Sequence, residues 1–301
     1  MTRRRSTAAR PEACRALVTG GSGGIGQAIC HKLAESGCHV IVHAGRNLEQ
    51  AEATVESIKG SGGRAESVQF DLSDGPACQS AMNELLAEQP LGIVVHNAGL
   101  HDDAPLAGMS AEQWQRVVDI NLNGFFRVVQ PALLGMARLR WGRVVAISSV
   151  AGRIGNRGQA NYAAAKAGMM GLLRTAVLEL TRLGIRTNAV WPIAETDMTE
   201  VVFTRAEASA KEKGVAAPDP VELGFGKPEE VAEGLVWLAS EDAARFNGQC
   251  LTFNGRKIAL WTHPEEQHIT FREAPFSADD LAAHFRDVTP LPLYQPRMRP
   301  D

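Results

Sequence analysis

Two rhythms of apolar residues alternate along this chain. Short continuous runs such as Ala16-Leu17-Val18 and Val40-Ile41-Val42 are separated by stretches in which apolar residues return every three or four positions, as at Ile25, Ala28, Ile29 and Leu33. The first rhythm suits a strand covered on both faces, the second a helix with one buried face. Strands are predicted near 15–19, 39–43, 67–70, 91–96, 143–148, 185–190 and 249–253, and helices near 25–36, 47–59, 75–88, 110–139, 161–182 and 228–240. Strand and helix in strict alternation is the signature of βαβ units. The fold class expected is therefore α/β, a single doubly wound domain on a seven-stranded parallel sheet.

Punctuation along the chain supports these boundaries. Gly37 follows the first helix as a C-cap. Ser110 with Gln113 reads as a capping box for the long central helix, Pro131 is expected to kink or break that helix, and Pro228 opens the last one. Three segments stand outside the alternation. Residues 1–14 carry Arg3, Arg4, Arg5 and Arg10 with no apolar run behind them, so a flexible basic arm is expected rather than a secretory signal. The connection 197–226 is long, with helical composition through Lys213, and connections of that length tend to be lids or binding loops. Residues 262–301 form a C-terminal extension beyond the main domain, 15–261; within it Ser277-Ala278-Asp279-Asp280 before Leu281 to Phe285 reads as a short capped helix. The extension is expected to pack on the core, to reach a neighbouring subunit, or to remain loosely attached.

Composition narrows the class only slightly. The 301 residues are 45% hydrophobic and 22% charged, with a net charge of −3. No nucleic-acid partner is expected from that charge, and no apolar run is long enough to span a bilayer. The five cysteines lack C-x-x-C or metal spacing, which fits reduced thiols in a cytoplasmic enzyme; no metal is expected.

The candidate chemistry lies in two places. Tyr162 and Lys166, four apart, share a helix face, with Ser149 upstream. A neighbouring cation lowers a phenol's pKa, so the pair is expected to tune Tyr162 for proton exchange with a substrate oxygen. Far upstream, Thr19-Gly20-Gly21-Ser22-Gly23-Gly24-Ile25-Gly26 joins a strand to a helix. In that setting a glycine-rich turn brings backbone N–H groups and a helix N-terminus to a pyrophosphate.

These motifs, in this order, resemble the short-chain dehydrogenase/reductase family, over roughly Arg15 to Phe253. The stretch Gly158 to Gly168 is similar to the 3-oxoacyl-acyl-carrier-protein reductases within it. The resemblance implies a Rossmann fold and a catalytic set of Asn121, Ser149, Tyr162 and Lys166. Tyr162 would hand a proton to the substrate carbonyl, Ser149 would bond the same oxygen, and Asn121 would hold a water in a relay to Lys166. It further implies a dinucleotide held by Gly20, Ser22, Gly24, Ile25, Gly26, Asp71, Leu72, Asn97, Ala98, Gly99 and Thr196, with Tyr162 and Lys166 at the nicotinamide ribose. At the end of the second strand Gly45 stands where an acid would select NAD, and Arg46, beside Asn47, suits a 2′-phosphate. NADPH is thus favoured over NADH.

Arg140 matches the first of two arginines with which the family docks an acyl carrier protein at the active-site entrance; Leu183 occupies the second position, with Arg182 beside it. The implied assembly is a homotetramer, or a homodimer, built through the helices at 110–139 and 161–182. Ile193 stands where the family has glycine after the sixth strand, and Asn254-Gly255-Arg256 departs from its usual last strand end. His96 replaces an asparagine and is assigned no role. The function implied is NADPH-dependent reduction of a 3-oxoacyl thioester. The alternatives are a reductase of a polyketide, sugar, steroid or other small ketone, and a non-catalytic dinucleotide-binding protein.

Overall fold

In the computed structural model the structure describes residues 10–213, 215–273 and 275–286. The arm at 1–9 and the end of the extension at 287–301 lie outside the described residues.

The chain runs β1 (Arg15–Thr19), α1 (Gly24–Glu35), β2 (His39–Ala44), α2 (Leu48–Gly60), β3 (Arg64–Gln69), α3 (Gly75–Glu88) and β4 (Ile93–His96). It continues through α4 (Ala111–Val118), α5 (Gly124–Leu139), β5 (Gly142–Ile147), α6 (Ala151–Ile154), α7 (Ala160–Leu180), β6 (Ile185–Pro192), α8 (Glu200–Glu212) and α9 (Pro228–Leu238). It then forms β7 (Cys250–Phe253), β8 (Ile258–Leu260) and α10 (Ala278–Phe285). The strands form one sheet in the order β3-β2-β1-β4-β5-β6-β7-β8. The order reverses direction between β1 and β4, which opens a crevice beyond the carboxyl ends of those strands.

Side chains alternate across the sheet and create a core on each face. Along β1, Ala16 and Val18 join the layer under α1, α2 and α9, whereas Leu17 joins the layer under α3, α5 and α7. That double burial explains why the strands read as continuous apolar runs. Arg15, 3% exposed, is one of several buried polar residues in the strands: it donates to the Leu85 and Gln89 carbonyls at 2.8 and 2.9 Å and pairs with Glu66 and Glu88 at 3.0 Å.

Three features differ from the sequence expectations. The sheet has eight strands, the seven expected parallel ones and β8, which pairs antiparallel with β7. Asn254 builds the turn between them: its Oδ1 accepts the Arg256 N–H at 3.0 Å and its Nδ2 donates to the Gly224 carbonyl at 2.6 Å, while Gly255 takes φ +82°. Trp261 follows, stacked edge-on against Trp191 with centroids 4.0 Å apart and its Nε1 donating to Thr252 at 2.8 Å.

The second difference is in the central helix, which is interrupted at 119–123 and passes unbroken through Pro131. The interruption is a π-turn. Asn121 Nδ2 donates to the Val117 carbonyl at 2.9 Å, the acceptor that an α-helix would give to the backbone N–H of Asn121 itself, so the ladder shifts by one residue.

The third concerns Ile193. Residues 193–195 run extended beside Gly226, with Ile193 N–H donating to the Phe253 carbonyl at 3.0 Å and Glu195 N–H to the Gly226 carbonyl at 2.9 Å. The only non-glycine residues with positive φ among those described are Arg140 and His268. A β-branched residue therefore fits here because the backbone never enters the left-handed region.

The expected capping box of α4 is present, as is the one at Ser277 and Asp280 that starts α10. Side chains of the described part of the extension beyond Trp261 are mostly exposed.

Candidate active site

The crevice at the carboxyl ends of β1, β4, β5 and β6 is a cavity of about 760 Å³ that runs from the glycine turn to Tyr162. Its floor at one end is the turn after β1. Gly26 lies where α1 crosses this turn: a Cβ there would stand 2.0 Å from the Gly20 carbonyl oxygen and 2.5 Å from Asn97 Nδ2. Only a glycine lets the helix start that close to the strand. Asn97 Nδ2 donates to that same carbonyl at 2.8 Å and holds the turn to β4. The first turn of α1 has Gly23 as its N-cap, no side-chain cap and no acidic residue. Its N–H groups and partial positive charge thus face the cavity uncompensated, which fits the pyrophosphate of a dinucleotide.

His43 ties this turn to the next strand, a role its sequence context did not reveal. Its Nδ1 accepts the Gly20 N–H at 3.1 Å, so its Nε2 carries the proton and donates to the Phe70 carbonyl at 2.9 Å. Burial holds its pKa down to about 4, against the opposing effect of the Phe70 bond, and the ring stays neutral at physiological pH. Phe70 precedes Asp71, whose carboxyl accepts from the Ser73 hydroxyl and N–H at 2.7 and 2.8 Å and is held below the usual carboxylate range by them.

At the other end, Ser149 and Tyr162 both line the cavity, with the Ser149 hydroxyl near enough to favour the Tyr162 phenolate. Ser149 Oγ also accepts the Ala151 N–H at 3.2 Å, which fixes it at the start of α6. Lys166 lies one turn along α7 beneath Tyr162, 2% exposed, with Nζ donating to the Ile147 carbonyl at 2.7 Å and 5.4 Å from the Tyr162 ring centre. Burial lowers its pKa to about 7. Asn121 is fully buried behind it and donates to the Leu100 and Val117 carbonyls at 2.8 and 2.9 Å, leaving its Oδ1 without a partner. A Cβ on Gly99 would be 2.7 Å from that oxygen and 3.4 Å from Lys166 Nζ, so both atoms border one small space.

The tuning of Tyr162 differs from the sequence expectation. Burial raises its pKa, with the Ser149 hydroxyl acting in the opposite direction; Lys166, itself pushed towards neutrality, does not produce a lowered phenol.

His96 is another buried member of this region. Thr19 Oγ1 already accepts the Asn97 and Ala98 N–H groups at 3.1 Å each, so its proton points to His96 Nδ1 at 3.1 Å. The remaining His96 proton sits on Nε2, which has no partner. Burial keeps the ring neutral, reinforced by the nearby Lys166 charge.

The other expected residues fall as follows. Ser22, Gly24, Ile25, Arg46, Leu72, Ala98, Gly99 and Thr196 line the cavity with Gly20, Asp71 and Asn97. The Thr196 methyl would lie 3.4 Å from a Cβ on Gly24, so the loop after β6 closes over the glycine turn. Asn47 is not a lining residue; its side chain caps α2 by accepting the Gln50 N–H at 3.1 Å. Arg140 and Arg182 are neighbours, with Arg140 Nη2 donating to the Arg182 carbonyl at 3.0 Å. They sit ahead of β5 and β6, at the opposite ends of these strands from the cavity of their own chain. Tyr162 and Arg182 are separated by the length of α7, ~30 Å at 1.5 Å per residue. Gln50, Arg116, Ile120 and Met198 also line the cavity and were not singled out by their sequence pattern. Among the described residues no cluster of three or more His, Cys, Asp or Glu could hold a metal ion, and no helix is long and apolar enough to cross a membrane.

One prediction isolates the glycine turn. In Gly26→Ala the added methyl must displace the Gly20 carbonyl, so NADPH affinity measured by isothermal titration should fall about tenfold or more; unchanged affinity would show that the turn does not hold the dinucleotide.

Comparison with known proteins agrees with this geometry. The family described as short chain dehydrogenase matches residues 15–207. A protein named 3-oxoacyl-[acyl-carrier-protein] reductase FabG from Staphylococcus aureus (strain Mu50) is 37% identical over 242 residues, covering 80% of this chain and 96% of the relative. Proteins of the same name from Aquifex aeolicus and Aggregatibacter actinomycetemcomitans are 39% and 38% identical, each over 79% of this chain and 95% and 97% of their own lengths. With its crossover sheet, glycine turn and Ser-Tyr-Lys crevice, the chain belongs to the short-chain dehydrogenase family.

Proposed function

We propose that this protein reduces the 3-oxo group of an acyl thioester, carried on an acyl carrier protein, with NADPH as the electron donor. The observation that carries this reading is that Ser149 and Tyr162 stand with the buried Lys166 amine in the same crevice as the glycine turn. The names of the relatives support the substrate class.

When bound, NADPH supplies a hydride to the carbonyl carbon. The glycine turn, the N-terminus of α1, Asp71 and Asn97 would hold its adenosine and pyrophosphate, while Arg46 would pair with the 2′-phosphate, since a guanidinium binds phosphate in two bonds and keeps its charge. Lys166 and Tyr162 would hold the nicotinamide ribose, with Thr196 at the carboxamide.

Tyr162 Oη gives its proton to the substrate oxygen as negative charge develops there, and Ser149 Oγ donates a hydrogen bond to the same oxygen. A phenol whose pKa lies above the ordinary value is fully protonated at neutral pH. It is thus prepared to donate to an alkoxide, and reduction is the favoured direction. The resulting phenolate is repaid a proton through Lys166, with Asn121 Oδ1 orienting a water between Lys166 and solvent.

A second reading keeps this chemistry and replaces the carrier thioester with a free polyketide, sugar, steroid or other small ketone. It draws on the position of Arg140 and Arg182, remote from the crevice of their own chain. They would meet a crevice only in a second subunit packed antiparallel along α5 and α7, where Phe126, Leu134 and Leu178 are exposed. Carrier docking at these arginines therefore goes with a homodimer or homotetramer.

Both the catalytic and cofactor assignments are testable in one assay. Following NADPH oxidation with carrier-bound and free 3-oxoacyl thioesters alongside simple ketones, Tyr162→Phe should lower turnover roughly 100- to 10,000-fold. Turnover that survives this change excludes Tyr162 as the acid, and activity confined to small ketones selects the second reading. Arg46→Ala should raise the KM for NADPH about tenfold without affecting that for NADH. An undiminished NADPH preference would remove Arg46 from the phosphate site.

A further inference from the structure

Cys14 and Cys38 stand one residue ahead of β1 and β2. The two strands run parallel with Arg15 opposite His39, so the ladder sets Cys14 opposite Cys38; the His39 N–H closes it by donating to the Cys14 carbonyl at 2.9 Å. Adjacent strands lie ~4.8 Å apart, within the Cα separation of roughly 4.4–6.8 Å that a disulfide spans. Both side chains turn into the same core layer, 2% and 1% exposed, with the Cys14 thiol donating to the Arg15 carbonyl at 4.0 Å.

The surroundings make the pair chemically unequal. Cys38 Sγ lies 3.6 Å from the Ser36 hydroxyl and 3.9 Å from Arg10 Nη1. The neighbouring Cys14 favours the Cys38 thiolate, with Ser36, Arg10 and Arg64 adding to it against the opposing effect of burial. Cys14, beside that sulfur and buried, is held protonated. A low-pKa thiol beside a protonated one is the arrangement of an attacking and a resolving cysteine. Cys14 also borders a surface cavity of about 200 Å³ formed with Pro11, Pro90 and Gly92, larger than the ~30 Å³ that a water occupies in the liquid. The other three cysteines have no such setting: burial pushes Cys30 and Cys250 up, and Cys78 up to about 11.

We propose that Cys14 and Cys38 form a reversible dithiol–disulfide site that is oxidised by small hydroperoxides. The Cys38 thiolate attacks the terminal peroxide oxygen, the O–O bond breaks, and the departing oxygen takes up a proton to leave as water or an alcohol. The sulfur, oxidised by two electrons as the peroxide is reduced by two, becomes a sulfenic acid. Cys14 then loses its proton, its sulfur attacks Cys38, the S–O bond breaks and hydroxide leaves as water. The bond formed would join the amino-terminal ends of β1 and β2, at the opposite ends of these strands from the crevice.

The test uses the full chain, freed of reductant and treated with a small excess of hydrogen peroxide. Intact mass should fall by about 2 Da with no change of oligomeric state, and dithiothreitol should restore it. Non-reducing peptide mapping of the wild-type chain should find Cys14 linked to Cys38. In Cys14→Ser, dimedone should instead trap a sulfenic acid on Cys38, and Cys38→Ser should give neither product. No loss of mass, a link between other cysteines or between chains, or a gain of 32 Da at Cys38 in the wild-type protein would overturn the proposal. The wild-type peptide map decides the question even if a variant does not fold.

Discussion

The rest of the active site depends on one constraint, the removal of the Lys166 amine from water. A buried ammonium is unfavourable unless it is partnered, and Lys166 has a single hydrogen bond, to Ile147 at the end of β5. Its neighbours are arranged to come that close. A Cβ on Gly152 would stand 2.8 Å from the Lys166 backbone, so α6 packs directly on α7, and Ser148 anchors the same turn by donating to the Lys166 carbonyl at 3.0 Å. The π-turn brings Asn121 in from the third side. The position of Ser149, the start of α6 and the register of α7 all follow from enclosing this one group.

That enclosure has a consequence for stability as well as chemistry. The unfolded chain keeps the Lys166 proton up to the ordinary value of 10.5, whereas the folded chain releases it from about 7. Between these values the unfolded state binds more protons, so stability rises with pH there; below about 7 the cost of the buried charge is present in full. The protein accepts this cost at the place where the proton relay needs an amine that can change charge near neutrality. Tyr162, raised by burial, complements it: one group holds its proton and the other exchanges it.

Much of this was legible in the chain. The seven parallel strands, the glycine turn and the Ser-Tyr-Lys spacing are read from local patterns, because double burial leaves continuous apolar runs and a helix fixes which residues share a face. What was not legible depends on contacts between distant segments. The π-turn arises from the Asn121 amide competing for the Val117 carbonyl, and nothing in its sequence neighbourhood marks that. His43 reads as part of an apolar strand until Gly20 and Phe70 are brought to its two nitrogens. Asn254-Gly255 did carry a signal, since Asn-Gly between apolar runs favours a hairpin, and β8 could have been found from it. The tolerance of Ile193 follows from pairing with Phe253 and Gly226. Arg140 matches a docking arginine in sequence and Arg182 neighbours the second such position, yet both lie across the sheet from the crevice of their own chain.

The central claim is that Lys166 is an amine poised near neutrality. Nuclear magnetic resonance titration of the labelled lysine side chains, with Lys166 assigned through Lys166→Met, measures it directly. A midpoint near 7 for the Lys166 signal is the expected result. A midpoint near the ordinary 10.5 would mean that the amine is not desolvated, and the proton-transfer scheme built on it would have to be abandoned.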